Sequence, residues 1–350
     1  MPAGISRRSF LATGAAAALS ACAARRQGRS QARSIAVANH PLYIDGAANP
    51  GFESATGIHV DYHEEIIDDG PWVASITPQM RRGQSIDRDV AIVSDWAADL
   101  LARQQWLDAE PQARTTWALG MVGLAYDVKA VGTELTHIAE LFQPPLHGRV
   151  ALPTDMRLTL GMALLADHFD PSTVTVEQAG ATAARLTNSV KLGQVLSFAP
   201  GRPIDRLVAG EAAAVVAPAS DTVGLEQDHP DIRFVVPGEG GLLLTDVAVI
   251  PVNGPNPDDA RQYLRYTDAP DHAAERFRVL PVMWPRGGSG DGAESQVESR
   301  LRTLAPDVVA DARRNPPADV RRRLRTFRFL DDHEQETFKD LFAGVLRPTR

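Results

Sequence analysis

Hydrophobic positions along this chain change period every ten to twenty residues, and the alternation is that of a mixed α/β protein. Short apolar runs at Ser34 to Ala38, Ile58 to Tyr62 and Arg88 to Val93 are spaced by polar turns and read as strands. Between and after them, Pro71 to Arg82 and Ala97 to Gln105 carry the wider apolar spacing of helices. Strand, helix, strand at this spacing predicts an α/β sheet, in which ligands sit beyond the carboxyl ends of strands, and Ser94-Asp95-Trp96 stands at such an end.

Farther on, Trp117 to Tyr126 reads as a strand that crosses between lobes, and Gly148 to Leu152, Ala212 to Ala217 and Phe234 to Pro237 as further strands. Val247 to Pro251 leads back to the first lobe. Helical patterns cover Ile138 to Phe142, Leu158 to Asp167, Val176 to Leu186, Pro203 to Ala209, Asp258 to Tyr266 and Asp271 to Phe277. The expected organisation is two lobes, residues 34–125 with 246–284 and residues 126–245 with 285–350, each visited twice. Lone histidines at His59 and His63 share a strand face, but without a third ligand a solvated face is the reading, and no metal site is expected.

The first residues follow a different grammar. Arg7-Arg8 precedes Phe10-Leu11 and an Ala-rich run that ends at Leu19-Ser20-Ala21-Cys22, the form of a twin-arginine export signal closed by a lipoprotein cleavage box. Residues 1–21 are then a leader, Cys22 carries the lipid, and residues 22–33 are a basic tether. Cys22 is the sole cysteine of the 350 residues, so after lipidation neither a disulfide nor a free thiol remains. The expected place is the outer face of the cytoplasmic membrane. Loss of Arg7 and Arg8 with the leader lowers the formal charge of -8 by two more units, a balance that argues against nucleic acid as a partner and suits a cationic ligand, though an acidic surface more often just keeps a protein soluble. No nucleophile elbow, phosphate loop or acid-base set is present, so no enzyme and no cofactor are expected.

Several segments, in order, resemble the extracytoplasmic solute-binding proteins of polyamine ABC importers, which bind spermidine and putrescine. They are Asn39-His40-Pro41-Leu42-Tyr43-Ile44-Asp45, Tyr62-His63-Glu64-Glu65-Ile66, Arg82-Gly83-Gln84-Ser85-Ile86 with Ser94-Asp95-Trp96, Gly120 to Tyr126, Gly148 to Arg157, and Pro237-Gly238-Glu239-Gly240-Gly241 with Asp246. The resemblance implies a two-lobed periplasmic-binding-protein-like fold with crossover hinge strands, closing over its ligand as a monomer. It implies a permease pair and an ATPase as partners.

A linear polyamine needs a carboxylate near each ammonium and flat aromatic faces along its methylenes. By resemblance Asp246 is the principal amine-binding carboxylate and Asp155 an acid of the other lobe, with Arg157 as its partner. The residues alone read Asp155 as a helix N-cap and Asp246 as a turn residue. Tyr43 and Trp96 match site aromatics, His40 stands where many relatives carry tryptophan, and Glu65 is preferred over Glu64 to reach the cleft. Trp117 is the weaker aromatic candidate. Departures are as pointed: Leu244 and Ala217 to Asp221 lack family aromatics, and Leu158 replaces an acid. The expectation is a family fold with weak or altered amine specificity. The rival readings are a binder of another small solute held by Arg157, and a paralogue serving as an interaction or sensor lipoprotein.

Overall fold

A computed structural model of the protein describes residues 33–110, 113–199, 202–285 and 296–347. Arg7, Arg8 and Cys22, on which the export and lipidation readings rest, lie outside the described residues.

Ten strands are described: β1 Ser34–Asn39, β2 His59–Glu64, β3 Val90–Ser94, β4 Arg114–Asp127, β5 Val150–Pro153, β6 Val195–Ala199, β7 Ala214–Pro218, β8 Ile232–Val235, β9 Gly241–Val249 and β10 Leu324–Arg325. They pair in the order β2-β1-β3-β9-β4-β7-β5-β6, with β8 on β4 and β10 on β9. The outer neighbours β1 with β2 and β3, and β5 with β6 and β7, are parallel. Such pairs need helical crossovers, which supply the helices Ala48–Thr56, Asp69–Arg81 and Met156–Ala166. Along β3, Val90 and Ile92 enter one apolar cluster while Ala91 and Val93 enter another, so the strand is buried on both faces and reads as a continuous apolar run.

The continuous sheet serves two bodies because β4 and β9 are long enough to belong to both. Arg114 to Thr116 of β4 pair with Val247 to Val249 of β9, beside β3, whereas Val122 to Tyr126 pair with β7. One core gathers Ile35, Val37, Phe52, Trp117, Tyr263 and Phe277, and a second gathers Leu124, Tyr126, Leu152, Met162 and Leu165. The protein is therefore two-lobed, with antiparallel crossover strands between the lobes. Leu301, Ala305 and Val308 join the first of these cores, so the helices Gln296–Leu304 and Pro306–Ala310 pack there, although the sequence reading groups them with the second lobe. The terminal helix Asp332–Leu346 lies on the second lobe through Phe338 and Phe342.

Candidate functional site

The loop after β1 is built before it is used. Asn39, fully buried, donates from Nδ2 to the Tyr43 carbonyl at 3.1 Å and to Tyr62 Oη at 2.9 Å, and its Oδ1 accepts from His40 N at 2.7 Å. Trp117 Nε1 donates to the same Tyr43 carbonyl at 3.2 Å. Trp117 is wholly buried beneath the Arg276 guanidinium, 4.1 Å from its ring centre, and is core rather than ligand wall. Its place is set by a register shift in β4 between Thr116 and Ala118, a bulge of the kind that re-aims side chains beside sites.

Held in this way, Tyr43 Oη donates to Asp246 Oδ2 at 2.6 Å. Asp246 stands opposite Ser94 in the β3/β9 register, so a crossover strand of the hinge delivers it to the end of β3. Here Asp95 opens the helix Asp95–Arg103, its Oδ1 accepting from Trp96 N at 2.7 Å. Asp69 opens the helix Asp69–Arg81 and accepts from Ser94 N at 3.4 Å. From the other lobe Asp155 caps the helix Met156–Ala166, accepting from Leu158 N at 2.8 Å. Asp155 is thus an N-cap and a cleft residue at once.

Asp69, Asp95, Asp155 and Asp246 line one cavity of about 200 Å³, together with Trp96 and Arg157. Three of the acids occupy helix N-termini, whose unpaired N–H groups favour the ionised form. Burial nevertheless prevails at each. It raises the carboxyls of Asp69, Asp155 and Asp246 above the usual range and pushes Asp95 up to about 6, with Asp99 and Asp246 adding repulsion at Asp95. Asp155 and Asp246 keep surface open to the cleft, yet protein surrounds them closely enough to strip most of their hydration.

Arg157 is the cation in the cavity wall. Its guanidinium lies over the Trp96 ring at 4.2 Å, and Nη2 donates to Gln335 Oε1 at 2.7 Å. Asp155, Asp95 and Asp69 act on it through space against the burial that lowers its basicity. The expected direct pairing of Asp155 with Arg157 is replaced by the cap to Leu158 N and by this longer-range attraction.

Of the seven residues anticipated for the ligand, Asp246, Asp155, Trp96 and Arg157 share the cavity. Tyr43 and His40 stand behind it: Tyr43 orients Asp246, while His40 Nδ1 lies 2.7 Å from the Ile66 carbonyl, its ring edge-on to Tyr43 at 5.7 Å. Glu65 is engaged elsewhere, ion-paired to Arg88 at 2.7 Å with Trp72 Nε1 at 3.3 Å, and Glu64 Oε1 accepts from Leu42 N at 2.9 Å. Asp69 is an acid that the sequence reading passes over, and Asp95, noted there at a strand end, is not among the residues it assigns to the ligand. The signal for Asp69 is the helix start Asp68-Asp69-Gly70-Pro71; that for Asp95 is its place at the end of a buried strand.

The pattern characteristic of bacterial extracellular solute-binding proteins matches residues 83–277, more than half of the chain. The spermidine/putrescine-binding periplasmic protein 1 of Haemophilus influenzae is 24% identical over 365 aligned positions, covering 94% of each chain. Among solved structures, a proposed spermidine/putrescine ABC transporter from Listeria monocytogenes superposes with a TM-score of 0.74 at 19% identity, over 91% of this chain and 100% of that one. The spermidine/putrescine substrate-binding protein PotD of Streptococcus pneumoniae, solved with calcium and HEPES, gives 0.72 at 17% identity, over 89% and 98%. These likenesses establish the two-lobed fold.

Proposed function

Because the chain belongs to the bacterial extracellular solute-binding proteins, and is a binding protein rather than an enzyme, we propose that its solute is a small cationic amine. In this reading the amine is closed between the lobes and handed to the permease and ATPase of an ABC importer. The observation that carries it is the charge of the cleft. Four carboxylates face a cavity whose wall holds one guanidinium, and burial holds all four above their ordinary range. Such a site holds more acids than cations, and an ammonium supplies the missing positive charge.

The test is a calorimetric titration of the full chain with putrescine and spermidine, beside the Asp246→Asn variant. Saturable binding is expected, and loss of the charged partner weakens it by about 10- to 100-fold. A folded wild-type chain that binds neither of these amines nor a monoamine of similar length would refute the reading. Lipid anchoring through Cys22 is part of the proposal, supported by the cleavage box. Cys22→Ser is expected to move the protein from the membrane to the soluble fraction of cells.

A further inference from the structure

The acidic cavity has a neighbour. A second cavity of about 440 Å³ lies across Trp96 and Arg157, which line both spaces. Its walls are mainly apolar, with Pro71, Val73 and Leu100 from the first lobe facing Phe329 and Leu330 from the second. The stacked Trp96–Arg157 pair is thus a partition between an acidic chamber and an apolar one.

The acidic chamber already contains a cation of the chain. Asp69, Asp95 and Asp246 come from the ends of first-lobe elements and the crossover strand. Arg157 is attracted first by Asp155, two residues away, and then by Asp95 and Asp69, so the chamber already sets one cation of the chain against its four acids. Leu158, Leu243, Leu244 and Phe327 supply apolar wall to the same chamber. A linear diamine requires an anionic pocket at each end, and here the distal pocket is already served by a cation of the chain. Arg157 covers a face of the Trp96 ring and so closes that face to a ligand's ammonium or methylenes, and its buried Nε has no hydrogen-bond partner among the described residues.

Building on the amine reading above, we infer that Arg157 fills the place of a ligand's second cation, so that the cleft selects an amine charged at one end and apolar at the other. The ammonium lies with Asp246, Asp95 and Asp69. The apolar end lies along the leucine wall towards the Trp96–Arg157 partition.

The experiment compares n-pentylamine with 1,5-diaminopentane, equal in carbon length, on the full chain by calorimetry. Ordinary attraction to an acidic cleft favours the diamine; the inference expects the monoamine to bind at least as tightly. Arg157→Gln is expected to shift the ratio of affinities about tenfold towards the diamine, and Arg157→Lys, which keeps the charge, to hold it near the wild-type value. A wild-type preference for the diamine, or an unchanged ratio in Arg157→Gln, overturns the inference while leaving the amine reading intact. Binding of neither amine by a folded chain overturns both. If Arg157→Gln does not fold, the wild-type ratio still decides.

Discussion

At the scale of single residues, the cleft is organised by carboxylates that are costly to keep ionised before ligand arrives. Asp95 shows the consequence with a sign. Burial first, then Asp99 and Asp246, push it up to about 6 from the ordinary 3.8, against the opposing pull of Trp96 N–H and Arg114. Between those values the folded chain holds a proton that the unfolded chain has released, so the stability of the unliganded protein falls as pH rises through this window. Asp69, Asp155 and Asp246 are displaced in the same direction and add to the trend. A bound ammonium favours the ionised acids, so amine affinity rises over the same interval. Melting temperatures measured from about pH 4 to about pH 7.5 should show an unliganded chain that loses stability from this source and an amine-induced gain that grows. In Asp95→Asn both slopes should be shallower; slopes equal to the wild type would remove Asp95 from the account.

Among the elements, β9 carries the most, and its turn cannot tolerate a side chain. Gly240 has φ +114°, and a Cβ there would lie 2.3 Å from the Arg323 carbonyl oxygen, where β10 comes alongside β9. Gly240→Ala should destabilise the protein by about 2 kcal/mol or more, because both strain and backbone separation are imposed. A denaturant midpoint lowered at unchanged slope would check this, and no shift would refute it. The same strand shows where sequence reading stops. Leu242 to Leu244 and Val247 to Val249 appear as separate apolar runs because Asp246 interrupts them, yet they are one strand, and the interruption lines the acidic cavity. The crossover at β4 is legible because nothing polar divides Met121 to Tyr126, and Trp96 and Asp155 are legible because each stands at an element boundary. Arg157's stacking on Trp96 is a contact across lobes and has no local pattern. The helix Asp332–Leu346 is masked in sequence by the charged stretch before it, although Asp331 and Glu334 form a capping box and Phe338, Phe342 and Val345 make a helical stripe.

For the whole molecule, what matters is the contact between lobes that exists only when they are together. The Arg103 guanidinium, at the end of a first-lobe helix, lies 3.9 Å from the centre of the Phe329 ring on the second lobe. Arg157 on Trp96 is a second such bridge, but it lines the acidic chamber, whereas Arg103 and Phe329 lie outside that chamber. Arg103 therefore separates closure from recognition. An exposed cation–π contact contributes about 0.5–1 kcal/mol. Removing it shifts the unliganded population towards separated lobes by that amount, and apparent affinity falls in proportion to the closed fraction when the closed form is the minor one. Arg103→Ala should then weaken binding of any accepted amine by about two- to fivefold, without changing the order of preference among amines. The radius of gyration of the liganded protein should return to the wild-type value at saturation. A changed order of preference would place Arg103 in recognition rather than closure, and unchanged affinity would mean that the bridge does not bias the lobes at all.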